Sequence, residues 1–549
     1  MNDSSISTAL GGTAAASRTT SEAAVDHSPK SWLLPLLIRL HFYIGLFIGP
    51  FLLIAALSGI VYALTSQIED HLYRKALYTD SSGPAVPLQE QIAAARGRIG
   101  DDMQLVAVRP APMPGTTTRV MFGSPALGPS ESHAVFVDPV SGEVRDTLDV
   151  YGTAGVLPVR SWLDRFHRGL LLGDIGRLYS ELAASWLWLL AVGGLVLWFS
   201  RRRRERTRPP SSASRTATVA PSSATSKGVA AGPGATLGQH RRQRLRRWHG
   251  TLGVWAFLGV VFFSITGLTW SNHAGGNIGV LRAHYGWGTP SVATTLPAQA
   301  AGTDAAHGHL HWQGAHSGAA EGDEHAEHRA LMVPVQKAPG TTAPAAKAAA
   351  GSAAVPLMTN DAMFDAVLQT ARAAGIDAGK VEIRPARGPD KAWTVTEVDR
   401  AWPTQVDAVS IDPRDMSILD RTDFQAFPLA AKLTRWGIDL HMGTLFGLPN
   451  QLLLIVMASC LSVMVIWGYM MWWRRRPTRN LGGLPRQGVL SLAGKAPWPA
   501  RLLLVAVAVA LGVFLPVMGV SLVFFLLWDA LLQWRARRPL SERGHQYTA

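Results

Sequence analysis

Cysteine is almost missing from this chain: Cys460 is the only one in 549 residues. No intrachain disulfide can form, and no cysteine-based metal site or nucleophile pair can be assembled. Acidic residues are few as well, with 38 Asp and Glu against 52 Lys and Arg, for a formal net charge of +14. No Gly-x-Gly-x-x-Gly follows a strand-like run and no P-loop is present, so a bound nucleotide is not expected. A folded basic domain is also lacking, which excludes nucleic acid as the partner of the positive excess.

The cations sit instead in short runs: RRRRER (201–206), RRQRLRR (241–247), RRR (474–476) and RARR (535–538). These flank apolar stretches at 32–64, 182–199, 248–271, 451–473 and 502–534, which have the length of bilayer spans. The partner of the basic runs is therefore the lipid bilayer, and the positive-inside rule places them on the cytoplasmic side.

Two of the spans resemble each other. RLHFYIGLFIGPFLLIAALSGIVYAL (39–64) and RWHGTLGVWAFLGVVFFSITGLTW (247–270) both place Arg two before His and a Gly four after it. Gly59 and Gly267 stand eighteen residues, or five helical turns, after His41 and His249. The returning segments also match: HRGLLLG (167–173) and HMGTLFG (441–447) carry Gly at the same two offsets from His. Asp138 precedes His167, and Asp412 precedes His441, by the same 29 residues. The chain thus reads as span–soluble module–span, twice, with both halves starting on one side.

The expected fold class is a polytopic α-helical membrane protein with two periplasmic α/β modules. It is a tandem parallel repeat of helix–module–helix with a C-terminal hydrophobic hairpin. Residues 1–30 read as a disordered cytoplasmic tail. With no cleavage pattern ahead of it, the first span, 31–65, is expected to be an uncleaved anchor. Module one covers 66–157, an interfacial segment and span two 160–200, and a basic cytoplasmic linker 201–246. Span three covers 247–271, a His-rich insertion and module two 272–431, and an interfacial segment and span four 435–473. A cytoplasmic loop (474–500), a hairpin or kinked span (501–535) and a cytoplasmic tail (536–549) complete the chain. Each module reads as a helix (86–96; 359–374) and three strands (103–109, 117–123, 133–138; 379–385, 391–398, 405–411) with an Asp-Pro turn after the third.

Four histidines follow the repeat and sort by face. His41 and His249 begin outward spans, near the cytoplasmic side; His167 and His441 precede inward spans, near the outer side. His273 lies roughly 36 Å of helical rise beyond His249, also on the outer side. One histidine at a span end can simply rest at the interface. Four that are paired by a repeat point to ligands, because a neutral imidazole is an axial ligand for haem iron and two helices can clamp one haem b. The expected pairs are His41 with His249 and His167 with His441, with His273 as a substitute at the outer site. Gly45, Gly49 and Gly253 would admit a flat macrocycle. Two haems b then form an electron path across the membrane, fed by a quinol or a cytoplasmic donor. A proton relay is disfavoured because the spans read as lacking Asp and Glu partners. His307, His309, His311 and His316 fall in a low-complexity tract and form a weak candidate metal site.

The RLH..IG and SG residues (39–45, 58–59), the turn VDPVSG (137–142), HRGLLLG, His249, IDP (411–413) and HMGTLFG together resemble the PepSY-associated transmembrane family. The resemblance implies PepSY-like modules at 84–150 and 357–420. It also implies an inner-membrane protein of iron uptake that reduces a periplasmic ferric chelate of siderophore type. The second turn departs from the family pattern, since Asp415 and Met416 stand near where Gly142 stands in the first. The competing expectations are a non-redox module protein that binds peptides or partners, as a sensor or peptidase regulator, and a metal transporter.

Overall fold

The computed structural model describes residues 32–100, 102–124, 127, 130–152, 155–207, 233–297, 361–474 and 488–537. The expected metal site at His307, His309, His311 and His316 lies outside the described residues, as do the N-terminal tail and most of the 201–246 linker.

The chain opens with α1 (Leu33–Phe47) and α2 (Gly49–Ala63), followed by α3 (Thr65–Leu72) and α4 (Arg74–Leu77). Then come α5 (Leu88–Ile99), β1 (Gln104–Arg109), β2 (Thr118–Gly123), β3 (Glu131–Val137) and β4 (Val144–Tyr151). A short helix, α6 (Pro158–Gly169), leads into the long α7 (Gly173–Thr207). The order then recurs. α8 (Pro233–Trp255), α9 (Phe257–Thr269) and α10 (His273–His284) precede α11 (Met363–Ala373) and β5 (Val381–Arg384), β6 (Trp393–Glu397), β7 (Ala408–Ile411) and β8 (Ile418–Thr422). α12 (Leu429–His441) leads into α13 (Leu448–Trp473). α14 (Val489–Ala493), α15 (Trp498–Phe514) and α16 (Pro516–Arg537) close the chain.

Among the described residues three helices are long and apolar enough to cross a membrane: α7, α13 and α16. Two bent pairs raise the number to five, α1–α2 at 57° and α8–α9 at 61°. Proline accounts for the first bend. Pro50 has no amide proton to give to the Leu46 carbonyl. The Tyr469 hydroxyl of α13 donates to that carbonyl instead, and the missing side chain of Gly49 gives the Tyr469 ring room to approach. Packing is reciprocal between the halves: α2 lies against α13, and α9 against α7. Trp186, Ile44, Ile48 and Leu52 are buried in the shared helical core. The region 502–534 is two helices broken at Leu515, with Gly512 and Gly519 in close approach.

The strands form one sheet, in the order β4-β3-β2-β1-β5-β6-β7-β8. The two expected modules are thus joined, at the antiparallel pair Val108↔Ile383. α5 and α11 cover one face, where Ile92, Phe122 and Val135 share a core with Phe364, Ile383 and Ile411. Polar ties reinforce the joint. Asp365 accepts from the first-turn amides of α5, Leu88 at 3.0 Å and Gln89 at 3.3 Å. Arg109 pairs with Glu382 at 2.5 Å, and the guanidinium groups of Arg109 and Arg384 outweigh burial and hold the Glu382 carboxyl below its usual range.

Three strands were expected in each half, and four are present. β4 and β8 carry charges on half-exposed and exposed positions, such as Arg145, Asp146 and Asp420. That pattern imitates a loop, yet it suits an edge strand that must not pair with other chains. The second turn also keeps its shape despite its sequence. Met416 takes the left-handed φ of 61° where Gly142 has 72°, and each amide bonds the carbonyl of the aspartate four residues back at 2.9 Å.

Asp138 anchors the first turn. Burial raises its pKa, but the hydroxyls of Ser81 and Thr79 and the amides of Val140 and Ser141 outweigh that and hold it down to about 2. The folded value lies below the roughly 3.9 of a free aspartate. Its stabilisation is therefore complete above that pH and is lost as pH falls through about 2. Asp138→Ala is expected to cost about 2 kcal/mol, read as a lower thermal midpoint at neutral pH, with the difference from the unaltered chain shrinking in acid.

Candidate functional site

The structure brings together both expected histidine pairs, at two places along the helical bundle. His41 of α1 and His249 of α8 meet edge to face, with ring centres 6.4 Å apart. Two metal–imidazole bonds of about 2 Å each, added to the depth of two rings, would set ring centres at about 6 Å. His249 Nδ1 donates to the Met464 carbonyl at 3.1 Å, which leaves Nε2 as the nitrogen with the lone pair. His41 Nδ1 is buried without a hydrogen-bond partner.

The expected glycines do not face His41. Gly45 faces Leu190, Gly49 faces Tyr469 and Gly253 faces Met464. The backbone against His41 belongs to Gly193 and Gly194 of α7, where an added Cβ would come to 3.9 Å of Nδ1 and 3.1 Å of Cε1 respectively. A Gly-Gly pair inside an apolar span was the signal for them.

His167 and His441 line one cavity between the helices. Each sits at the end of a short helix, α6 or α12, ahead of a returning span. The repeated glycines Gly173 and Gly447 turn the chain between them with φ of 60° and 56°. Small residues make the walls: Ala55, Ala56, Gly59, Ala183, Ala184 and Gly267. A Cβ on Gly59 would stand 3.4 Å from His167 Cε1, and one on Gly267 would stand 3.2 Å from Ala184 Cβ. Tyr62 stacks on His167 at 6.3 Å, while Phe263 and Trp270 meet His441 at 5.5 and 6.0 Å.

Hydroxyls hold both imidazoles. Ser58 Oγ is 2.8 Å from His167 Nδ1, and Thr266 Oγ1 is 2.6 Å from His441 Nδ1. The Tyr179 hydroxyl donates to the His167 backbone carbonyl. Two imidazoles, a lining of small apolar residues and a glycine against the His167 ring are a donor set and surroundings that would suit an iron-carrying macrocycle. They do not suit a bare ion: among the described residues no three His, Cys, Asp or Glu side chains gather for one.

The rim of the cavity is charged. Arg168 pairs with Asp164, and Arg177 donates to the Trp270 carbonyl at 3.0 Å. Arg160 and Arg400, with Arg168, lie close enough to act on Tyr62 of the cavity wall. Arg160 pairs with Glu69 at 2.5 Å, and Arg400 touches Met442 Sδ at 4.0 Å. Burial, and then neighbouring arginines, lower the pKa of Arg119 and Arg400 to about 10 each, so both keep their charge at neutral pH.

His273 does not join this lining. Its ring lies 3.3 Å from Glu181 Oε2 and is half-exposed. Glu181 is buried and accepts from the amides of His273 at 3.1 Å and Ala274 at 2.9 Å, so it caps α10. The expectation that the spans lack carboxylates is corrected by Glu181 in α7 and by Asp529, buried in α16 and bonded to Gln533 at 2.7 Å.

A family model described as the PepSY-associated TM region matches residues 38–475. The chain belongs to that family, and with its apolar helices it is a membrane protein carrying a sheet module. No curated protein matches it.

Proposed function

We propose that the protein is a haem-containing reductase of the inner membrane that passes electrons outward to a periplasmic ferric chelate of siderophore type. The observation that carries this reading is two pairs of histidines at two places along one bundle, His41 with His249 at one and His167 and His441, bonded to Ser58 and Thr266, at the other. Ser58 follows His41, and Thr266 follows His249, by seventeen residues, roughly 25 Å of helical rise. A haem b held at each pair would supply a one-electron carrier at each end. His41 and His249 would hold the inner group, while His167 and His441 would hold the outer one, in the cavity that Asp164, Arg168 and Arg177 also line.

The orientation follows from charge. The arginines at 201–206 end α7 at the opposite terminus from the sheet, and the run at 241–247 in α8 and Arg474 after α13 match them. Under the positive-inside rule these arginines support a cytoplasmic location for those ends and a periplasmic sheet. The recurring element order and the reciprocal packing support a tandem repeat about an axis along the membrane normal. Electrons come from a quinol or a cytoplasmic donor, since the sequence carries no nucleotide motif. The chelated Fe(III) takes up one electron and is released as weakly held Fe(II).

An optical spectrum of the purified protein, before and after dithionite, tests the reading. A sharp reduced α-band and about two haems b per chain by pyridine haemochrome support it. A haem-free chain, from cells supplied with haem, overturns it in favour of a module that binds peptides or partners. The arginine rim adds a second expectation: an anionic ferric chelate is reduced about tenfold faster than a cationic one at low salt, and the gap closes as salt screens the rim. Equal rates at low salt would remove the arginines from substrate attraction.

A further inference from the structure

Ser58 and Thr266 occupy matching places in the two halves, and each hydroxyl has a second contact that decides its role. Ser58 Oγ lies 2.8 Å from the Ile54 carbonyl, and Thr266 Oγ1 lies 2.8 Å from the Phe262 carbonyl. A carbonyl oxygen only accepts, and a hydroxyl has one proton to give. Both protons are therefore spent within the helix, on the carbonyls three and four residues back (Ala55 at 3.1 Å and Phe263 at 3.4 Å besides Ile54 and Phe262). What remains toward the histidine is an oxygen lone pair. The contacts at 2.8 Å and 2.6 Å are then hydrogen bonds only if Nδ1 carries the proton.

We propose that Ser58 and Thr266 are positioning residues that fix His167 and His441 as Nδ1–H tautomers, so that both present an unprotonated Nε2 to one haem iron in the cavity. This inference rests on the haem reading above and adds to it the source of the ligand tautomer. The opposite tautomer would put two acceptors face to face at Nδ1 and would close Nε2 to the metal. An Nδ1–H donated to oxygen also makes the imidazole a stronger electron donor, which favours the ferric state. The His41–His249 end is built otherwise, with the Met464 carbonyl as the acceptor for His249. Hydroxyl substitutions therefore act on one site only.

The experiment compares Ser58→Ala and Thr266→Val with the unaltered chain and with the rescue variants Ser58→Thr and Thr266→Ser. The readouts are haem count by pyridine haemochrome, haem loss to apomyoglobin, and midpoint potentials by spectroelectrochemical titration. Loss of the hydroxyl is expected to weaken retention of the cavity haem about 10- to 100-fold and to raise its potential. The second haem keeps its potential, and the rescue variants restore the first. Folding is checked by gel filtration and helical circular dichroism; because the substitutions are independent, either one alone decides. Two haems with unchanged loss rate and potentials in a folded Ser58→Ala or Thr266→Val chain would overturn the hydroxyl role while leaving the haem reading intact. An unaltered chain without haem would remove both.

Discussion

Alanine in place of His441 is expected to cut bound haem b from two per chain to one and to slow chelate reduction more than a hundredfold. Loss of a residue that only bonds to a ligand costs 10- to 100-fold in metal affinity, and His441 is proposed as the ligand itself. Its replacement leaves the cavity walls intact, since α12 is also held by Asn450 Nδ2 on the Leu440 carbonyl at 2.8 Å. The Thr266 hydroxyl keeps its bond to Phe262, so no buried donor is stranded. His167→Ala is expected to behave alike. His273→Ala is the contrast: its ring is tied to Glu181 outside the cavity, and haem count should stay at two. Haem loss in His273→Ala with retention in His441→Ala would reverse the assignment of the outer ligands.

Much of this site was legible before any coordinates, and the reason is the repeat. A histidine with glycines at two fixed offsets, found twice, names His167 and His441 and also their turn residues Gly173 and Gly447. The pairing of His41 with His249 follows from two spans that start on one side. What the sequence hid is contact across large separations. The single register Val108↔Ile383 that joins two modules into one sheet leaves no local pattern. Ser58 was visible as half of a Ser-Gly pair, but its partner His167 lies 109 residues away. Thr266 differs in type from Ser58, so only their shared bond geometry shows them to be equivalent. Glu181 borders the apolar run of α7, and hydropathy could not show that its carboxylate turns inward to cap α10. The edge strands β4 and β8 were missed because charge at a sheet edge looks like charge in a loop.

The second large effect separates the two ends of the chain. His249→Ala is expected to remove one haem, and with it more than 99% of quinol-driven chelate reduction, while chelate reduction driven by dithionite stays within about twofold; substitutions at distant sites act independently. The inner and outer pairs share no side chain: His249 and Thr266, which holds His441, are seventeen residues apart on α8 and α9, with a 61° bend between them. Removing the His249 imidazole frees the Met464 carbonyl, which is already satisfied in part by its own helix, so α13 should hold its place. Gly194→Val is a milder version of the same experiment. Its Cβ would press on His41 Cε1 at 3.1 Å and should disturb the inner ring without deleting a ligand. A His249→Ala chain that lost both haems would tie the two sites into one structural unit. One that kept quinol-driven reduction would show that electrons reach the cavity without the inner pair. Only the separated outcome, with quinol failing and dithionite succeeding, is what two sites in series along one bundle require.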